Sequence, residues 1–536
     1  MRGLTRRSFL AATGMLLLPG KALATLSVEE AARAPLLVSR DEALGGRLLA
    51  SGPRTLAAVA TPRFDLVGLH WRGDGEVRFR TGSVGGRWSA WRRAHEHELP
   101  ENGSSEAERS EGWRLAAPLW TSGSDRIQYR LDGEVDALRA HFVSSWPAPR
   151  AQAARRLSSA GSPPIIPRLA WRADESIVRA ASERAEQLRF AVVHHTAGPT
   201  PSSPAESAAI VRAIQIYHVR GNGWNDIGYN LLVDRFGQVF EGRAGSVESN
   251  VVGAHAQGFN ATSLGVAVLG DYERGALSSA ARGALAKVIA WRFDLAHIDP
   301  LTLVTALSGG NGRFTELVPV TLPAVCGHRD LDFTLCPGSR LYPDLGLLAA
   351  NASAIGLPKL YEPLVEGAIG APIRFRARLS QPLAWRVAVT DGAGAVVAEG
   401  DGFGADLDWT WDATTAPQGT YVYSLVADGV RPAVGTLAVG PEERLRTPPA
   451  RPSGTPRAIP AWAWQLHTWH ATQPDERGPR PRGAPRPLPA WYWPWRRWRR
   501  SIEVRGRLLA LLHSDVTWEE LVVDPLWALY LQLSAP

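Results

Sequence analysis

Four residues carry the chemistry of this chain: the adjacent pair His194-His195 and, far along the sequence, His328 and Cys336. The histidine pair ends an apolar run, Ala191-Val192-Val193, of the composition expected for a buried strand. His328 stands in Gly327-His328-Arg329-Asp330, and Cys336-Pro337-Gly338 follows eight residues after it. Imidazole and thiolate are donors that Zn²⁺ prefers, and one strand-end histidine with a distant His and Cys supplies three of them. Three protein ligands, not four, leave a position open for water, which is the catalytic arrangement. Adjacent strand residues point to opposite faces, so His195 reads as a residue behind the ligands or in the substrate groove before it reads as a second ligand.

The elements that must position these residues alternate in type through 164–356. A strand is expected at 190–194. A helix at 205–219 carries Ile210, Val211, Ile214 and Tyr217 at helical spacing, with His218 near its end. Residues 228–234 and 239–241 read as a hairpin around Arg235-Phe236-Gly237-Gln238. A buried strand at 263–269, a helix at 278–297 and a last strand at 324–327, feeding His328, complete the series. The alternation predicts an α/β domain, a mixed central sheet flanked by helices. An insertion at 301–320, containing Ser308-Gly309-Gly310-Asn311-Gly312, reads as a loop with a short hairpin.

At 536 residues the chain is too long for one core. Residues 1–24 read as a twin-arginine export signal: Arg6-Arg7 precede an apolar stretch and Ala22-Leu23-Ala24. The extracellular space or cell wall is the expected location. Residues 27–146 alternate in short strands and predict a β-sandwich accessory domain, with Trp71, Trp88, Trp91 and Trp120 assigned to packing before sugar stacking. A linker at 147–163 leads to the α/β domain. After it, 358–440 predicts an immunoglobulin-like β-sandwich, so β-sandwich domains are expected on both sides.

The tail, 441–536, holds a repeat displaced by 29 residues: Pro460-Ala461-Trp462-x-Trp464 with Trp469, then Pro489-Ala490-Trp491-x-Trp493 with Trp498. Between 441 and 500 stand 12 Arg against 4 acidic residues, an excess of +8 beside +7 for the whole chain. The charge therefore belongs to the tail, whose fitting partner is an anionic cell-wall polymer; a nucleic-acid-binding body is not expected. Docking of these tryptophans on the body is an equal alternative. No transmembrane span is expected after the leader. The two cysteines, Cys326 and Cys336, are too few for a disulfide framework, and Cys326 reads as a buried thiol.

Taken jointly, several segments resemble the zinc-dependent N-acetylmuramoyl-L-alanine amidases of type 2, a family that includes the peptidoglycan recognition proteins. They are Val193–Gly198, Tyr217-His218, Trp224–Asn230, Glu241-Gly242-Arg243, Gly253-Ala254-His255, Asn260-x-x-Ser263 and Gly327–Asp330 with Cys336–Gly338. They cover about a third of the chain, and their order is more specific than any one of them. The resemblance implies that His194, His328 and Cys336 hold one Zn²⁺, with Tyr229 and Thr334 flanking it as catalytic hydroxyls. It also implies that His195, His218, Asn222, Gly223, Trp224, Arg243, His255 and Asn260 line a groove for the muropeptide stem and glycan of peptidoglycan. Gly223-Trp224 with Arg243 resemble the version that reads diaminopimelate, whose extra carboxylate a guanidinium can hold bidentately. The implied reaction is hydrolysis of the amide between N-acetylmuramic acid and L-alanine. The alternative is a peptidoglycan-binding protein that does not cut.

Overall fold

The computed structural model describes residues 37–44, 53–145 except 84–85, 97–99, 101–103 and 110–111, residues 161–437 except 186, and parts of 456–499. The expected export signal, most of the linker, Trp493, Trp498 and the apolar C-terminus lie outside the described residues.

The first region is built on β1 (Leu37–Asp41), β2 (Val59–Arg72), β3 (Glu76–Gly82), β4 (Leu119–Asp132) and β5 (Ala137–Val143). Their antiparallel order is β1–β5–β2–β4–β3, within an eight-stranded sheet completed by two-residue strands. Phe64, Leu69, Ile127, Tyr129 and Phe142 form its core with the buried Trp71. Trp120 is buried as well, as the sequence predicts for packing residues. Trp88 and Trp91 lie instead under the guanidinium groups of Arg80, Arg126 and Arg130. The sequence predicts a two-layer sandwich; the hydrogen bonds link the strands into one continuous network around that core. The 14-residue β2 pairs β4 through its first part and β5 through its last, with register shifts between Ala60 and Leu66. A five-residue helix, α1 (Ser105–Arg109), stands in the connection from β3 to β4.

The α/β region contains a six-stranded mixed sheet. Its strands are β6 (Ile165–Ile166), β7 (Phe190–His195), β8 (Leu231–Val233), β9 (Val239–Glu241), β10 (Ser263–Val268) and, after an inserted pair, β13 (Val325–Gly327). The order is β13–β7–β10–β8–β9–β6, parallel except for the β8/β9 hairpin. Every residue of β7 and β10 is buried, which accounts for their unbroken apolar runs. One face packs Ala191 and Val193 against α3 (Ser279–Ala296) and α4 (Leu345–Ser353). The inserted hairpin, β11 (Leu303–Leu307) with β12 (Pro319–Pro323), covers the other face, where Ala306, Val320 and Leu322 meet Phe190, Val192 and Cys326. Helix α2 (Pro204–Ile216) begins with a Ser203 cap, whose hydroxyl accepts from the Glu206 amide, and Pro204 in the first turn.

Beyond the α/β region, β14 (Pro372–Thr390), β15 (Val396–Asp412) and β16 (Tyr421–Ala427) lead a five-stranded sheet. Two strands are expected at 373–379 and 384–390. They are one 19-residue strand with a register shift between Arg378 and Leu383. Here too the strands form one hydrogen-bonded network around a core of their own. In the tail, α5 (Ala461–Ala471) packs Trp462 against Trp491, its counterpart in the repeat, with ring centroids 5.8 Å apart. With Leu466, Tyr492 and Trp495 these rings make a small core of their own. Among the described residues, no helix is long and apolar enough to cross a membrane.

Candidate metal centre and the groove beside it

Strand register explains how distant residues meet. In the parallel pair β7/β13, Val193 stands opposite Gly327, so the next residues, His194 and His328, emerge side by side at the carboxyl ends. Their ring centroids are 4.9 Å apart. This is where parallel sheets characteristically place sites. The turn after His328 is fixed by Asp330, whose carboxylate accepts from the Gly327 amide at 2.8 Å and from the Tyr342 hydroxyl at 2.6 Å. The Arg329 amide donates to the Cys336 carbonyl at 2.9 Å and closes the loop that brings the thiol back. The donor atoms of His194, His328 and Cys336 all lie within 4.8 Å of one another, and all three residues are buried.

The donor set fits a metal ion. Nitrogen and sulfur ligands of tetrahedral Zn²⁺ stand about 3.6 Å apart when the bonds are about 2.0–2.1 and 2.3 Å. Nδ1 of His194 and Sγ of Cys336 are 3.6 Å apart. Both cysteines are free thiols, so Cys336 is not consumed by Cys326. Burial pushes the Cys326 thiol up, consistent with an inert buried group.

The remaining site residues divide by position. His255 is fully buried with its Nδ1 3.1 Å from Nε2 of His194, so it orients a donor and does not face a groove. Gly253 and Gly265 make its slot, because a Cβ on either would come within 2.4 Å of the ring. Asn260 accepts from the amides of His255 and Ala256 at 2.7 and 2.9 Å and holds that segment in place. His195 sends its amide to Cys336 Sγ at 3.5 Å, while its Nδ1 accepts from the Tyr272 amide at 3.1 Å. Tyr229 is buried with its ring 5.5 Å from that of His194. Thr334 is half-buried, and its Oγ1 accepts from the Cys336 amide at 3.2 Å.

Farther from the metal donors, His218 sits in a π-helical turn, Tyr217–Gly221, that ends α2. Its Nδ1 accepts from the Gly228 amide at 3.0 Å, and its ring is 4.5 Å from Trp224. Beyond lie Asn222, Gly223, Trp224 and Arg243, and each meets the N-terminal β region. Asn222 Oδ1 is 2.9 Å from His70 Nε2, and the Gly223 carbonyl accepts from Arg109. Trp224 is fully buried against Leu115 and Trp113. Arg243 is 4% exposed in a bidentate pair with Glu106, at 2.8 and 3.2 Å. Burial works against the Arg243 charge, but Glu106 outweighs it and the guanidinium is held above its ordinary pKa. These partners in the β region are what sequence reasoning missed; Glu106 carries no local motif that would mark it.

An α/β sheet with two imidazoles and a thiol converging at its carboxyl edge is thus the class that fold and site define. Residues 184–339 match the N-acetylmuramoyl-L-alanine amidase family. Peptidoglycan-recognition protein SC2 of Drosophila simulans is 34% identical over 165 residues, 30% of this chain and 74% of that protein. Peptidoglycan recognition protein 1 of Bos taurus is 33% identical over 181 residues, 33% of this chain and 80% of its own. Among solved structures, human PGRP-IBETAC in complex with glycosamyl muramyl pentapeptide is 27% identical, covering 33% of this chain and 92% of that one with a TM-score of 0.27. The chain belongs to the N-acetylmuramoyl-L-alanine amidase and peptidoglycan recognition protein family.

Proposed function

We propose that this chain is a zinc-dependent amidase that cleaves the bond between N-acetylmuramic acid and L-alanine in peptidoglycan, with diaminopimelate-type stems as substrate. The observation that carries this reading is the convergence of the His194, His328 and Cys336 donor atoms within 4.8 Å of one another, with the His194–Cys336 pair at 3.6 Å. With three protein donors, zinc supplies an activated water near neutral pH and polarises the scissile carbonyl. His255 and Asn260 fix the His194 ring, and the amide of His195 steadies the Cys336 sulfur. Tyr229 and Thr334 are the hydroxyl donors for the developing oxyanion. Because Thr334 accepts through its oxygen, its hydrogen remains to be given to substrate. Arg243 is the group for the extra carboxylate of diaminopimelate.

Recognition without cleavage is the second reading, favoured by the names of the relatives. The complete donor set together with Tyr229 favours cleavage. Export through the twin-arginine signal, placing the protein in the wall, belongs to the same proposal, as does contact of the basic tail with an anionic wall polymer. Digestion of purified sacculi followed by mass spectrometry of the products tests the reading. Free stem peptides beginning at L-alanine are expected, and intact muropeptides with full zinc occupancy would refute cleavage.

A further inference from the structure

The place around Arg243 where the resemblance implies a groove is filled by the chain itself. Glu106, on α1, places both carboxylate oxygens on the Arg243 guanidinium, and its Oε1 also accepts from the Asn225 amide at 2.6 Å. Arg109, one helical turn on, donates to the Gly223 carbonyl and to Asn225 Oδ1, each at 2.5 Å. The Arg109 Cβ lies only 3.2 Å from where a Cβ on Gly223 would stand. Leu115 and Trp113 cover Trp224, and His70 holds Asn222. Four consecutive residues, 222–225, the first three of them expected in the groove, are therefore each engaged by the N-terminal region.

We propose that this region is a latch, in which Glu106 is an internal stand-in for the substrate's carboxylate and must leave Arg243 before an acidic stem can bind. The proposal rests on the reading of Arg243 given above. A bidentate carboxylate on a buried guanidinium is the contact by which a diaminopimelate side chain would be held, so the two occupants exclude each other.

The rest of the interface explains how α1 can leave without release of the whole region. The Tyr217 ring lies directly on Gly68, where a Cβ would come within 2.0 Å of it, and its hydroxyl donates to the Ala116 carbonyl at 2.9 Å. Ser145 donates to the Ala209 carbonyl at 2.8 Å, and Trp120 donates to Glu206 at 2.9 Å. These anchors hold α2 and its π-turn, and none involves α1.

Both occupants are acidic, so the latch is selective. A stem with a carboxylate at its third position competes for Arg243, whereas a lysine stem offers an ammonium and does not. Apparent affinity is the intrinsic affinity scaled by the fraction of open molecules. Weakening the latch therefore tightens binding and lowers KM, with kcat unchanged.

The test uses the full-length, zinc-loaded protein and monomeric muropeptides carrying diaminopimelate or lysine. Affinity is measured by calorimetry for the wild type and Glu106→Gln, KM and kcat are measured on the same fragments, and hydrogen exchange follows the amides of 104–109. Glu106→Gln is expected to tighten diaminopimelate binding about tenfold, with KM falling alike. In the wild type, diaminopimelate muropeptide should accelerate exchange at 104–109 and the lysine fragment should not. Wild-type protein that binds and cuts the diaminopimelate fragment while 104–109 stay as protected as in the free protein overturns the latch and leaves the amidase reading intact. So does a folded Glu106→Gln with unchanged affinity; if that variant does not fold, the wild-type exchange result decides. Zinc-loaded protein that binds neither fragment refutes the functional reading as well.

Discussion

Replacing Gly265 by Ala should damage the metal centre without touching a metal donor. Gly265 lies inside β10, opposite Val192 of β7, and a Cβ there would stand 2.3 Å from His255 Cδ2. Ordinary carbon contacts lie near 3.5 Å, so the ring must retreat by about 1 Å. The slot leaves little room for that retreat, since even one carbon added at Gly253 would fall 2.4 Å from the same ring. The 3.1 Å contact between His255 Nδ1 and His194 Nε2 would stretch beyond hydrogen-bonding range. Loss of such a partner behind a metal-binding histidine typically costs about 10–100-fold in metal affinity or activity. Competition with a chelator of known zinc affinity measures the loss directly. His255→Ala and the double variant show whether it runs through His255, in which case the double should be no worse than His255→Ala. Wild-type zinc affinity in a folded Gly265→Ala protein would refute the idea that this glycine exists to seat His255.

Three further outcomes are expected. Tyr229→Phe should retain zinc by elemental analysis and lose about 10²–10³ in kcat, as for removal of one oxyanion donor. Cys336→Ala should lose zinc and cleavage together, and saturating zinc, worth about 4 kcal/mol of stability at a thousandfold excess over Kd, should no longer raise its melting temperature. The third concerns acid. His141 is buried beside His70, at 3.2 Å between ring nitrogens, and burial first, then His70 and Arg139, push its pKa down to about 3. Between about 3 and the ordinary value of about 6.5 the unfolded chain binds a proton that the folded chain does not, so stability is full above that window and falls as pH drops through it. His141→Gln should flatten this slope in melts between pH 7 and 4; an unchanged slope would assign the acid sensitivity elsewhere.

The chemistry was legible because it is written in short, ordered motifs. His194 and His328 meet as their positions after strand ends imply, with Cys336 brought to them by the loop after His328, and the helix and strand expectations across the α/β region fall within a few residues of the elements found. The roles of His255 and Asn260 were less legible, because a groove residue and a residue behind a donor share the same polar type. Only burial separates them. Arg243 shows the larger limit: its sequence context predicts an available guanidinium, and nothing local announces that Glu106, 137 positions earlier, is seated on it. The flanking regions were legible as β but not in strand length, since long strands with register shifts look like two short ones. The tail's tryptophans gave no sign in sequence that the two copies would face each other.

The tandem histidines have a consequence for how the strand finds its place. A slip of β7 by one residue would bring His195 to the spot that His194 holds, and a metal ion offered an imidazole either way cannot proofread the error. Discrimination falls to Phe190, whose ring sits 6.3 Å from that of Phe259 on the hairpin-covered face. The slipped strand would put Ala191 there, leaving a gap beside Phe259, and would move the Phe190 ring out to the half-exposed place of Arg189. Fidelity at the metal is thus decided four residues upstream, by a side chain that never approaches it.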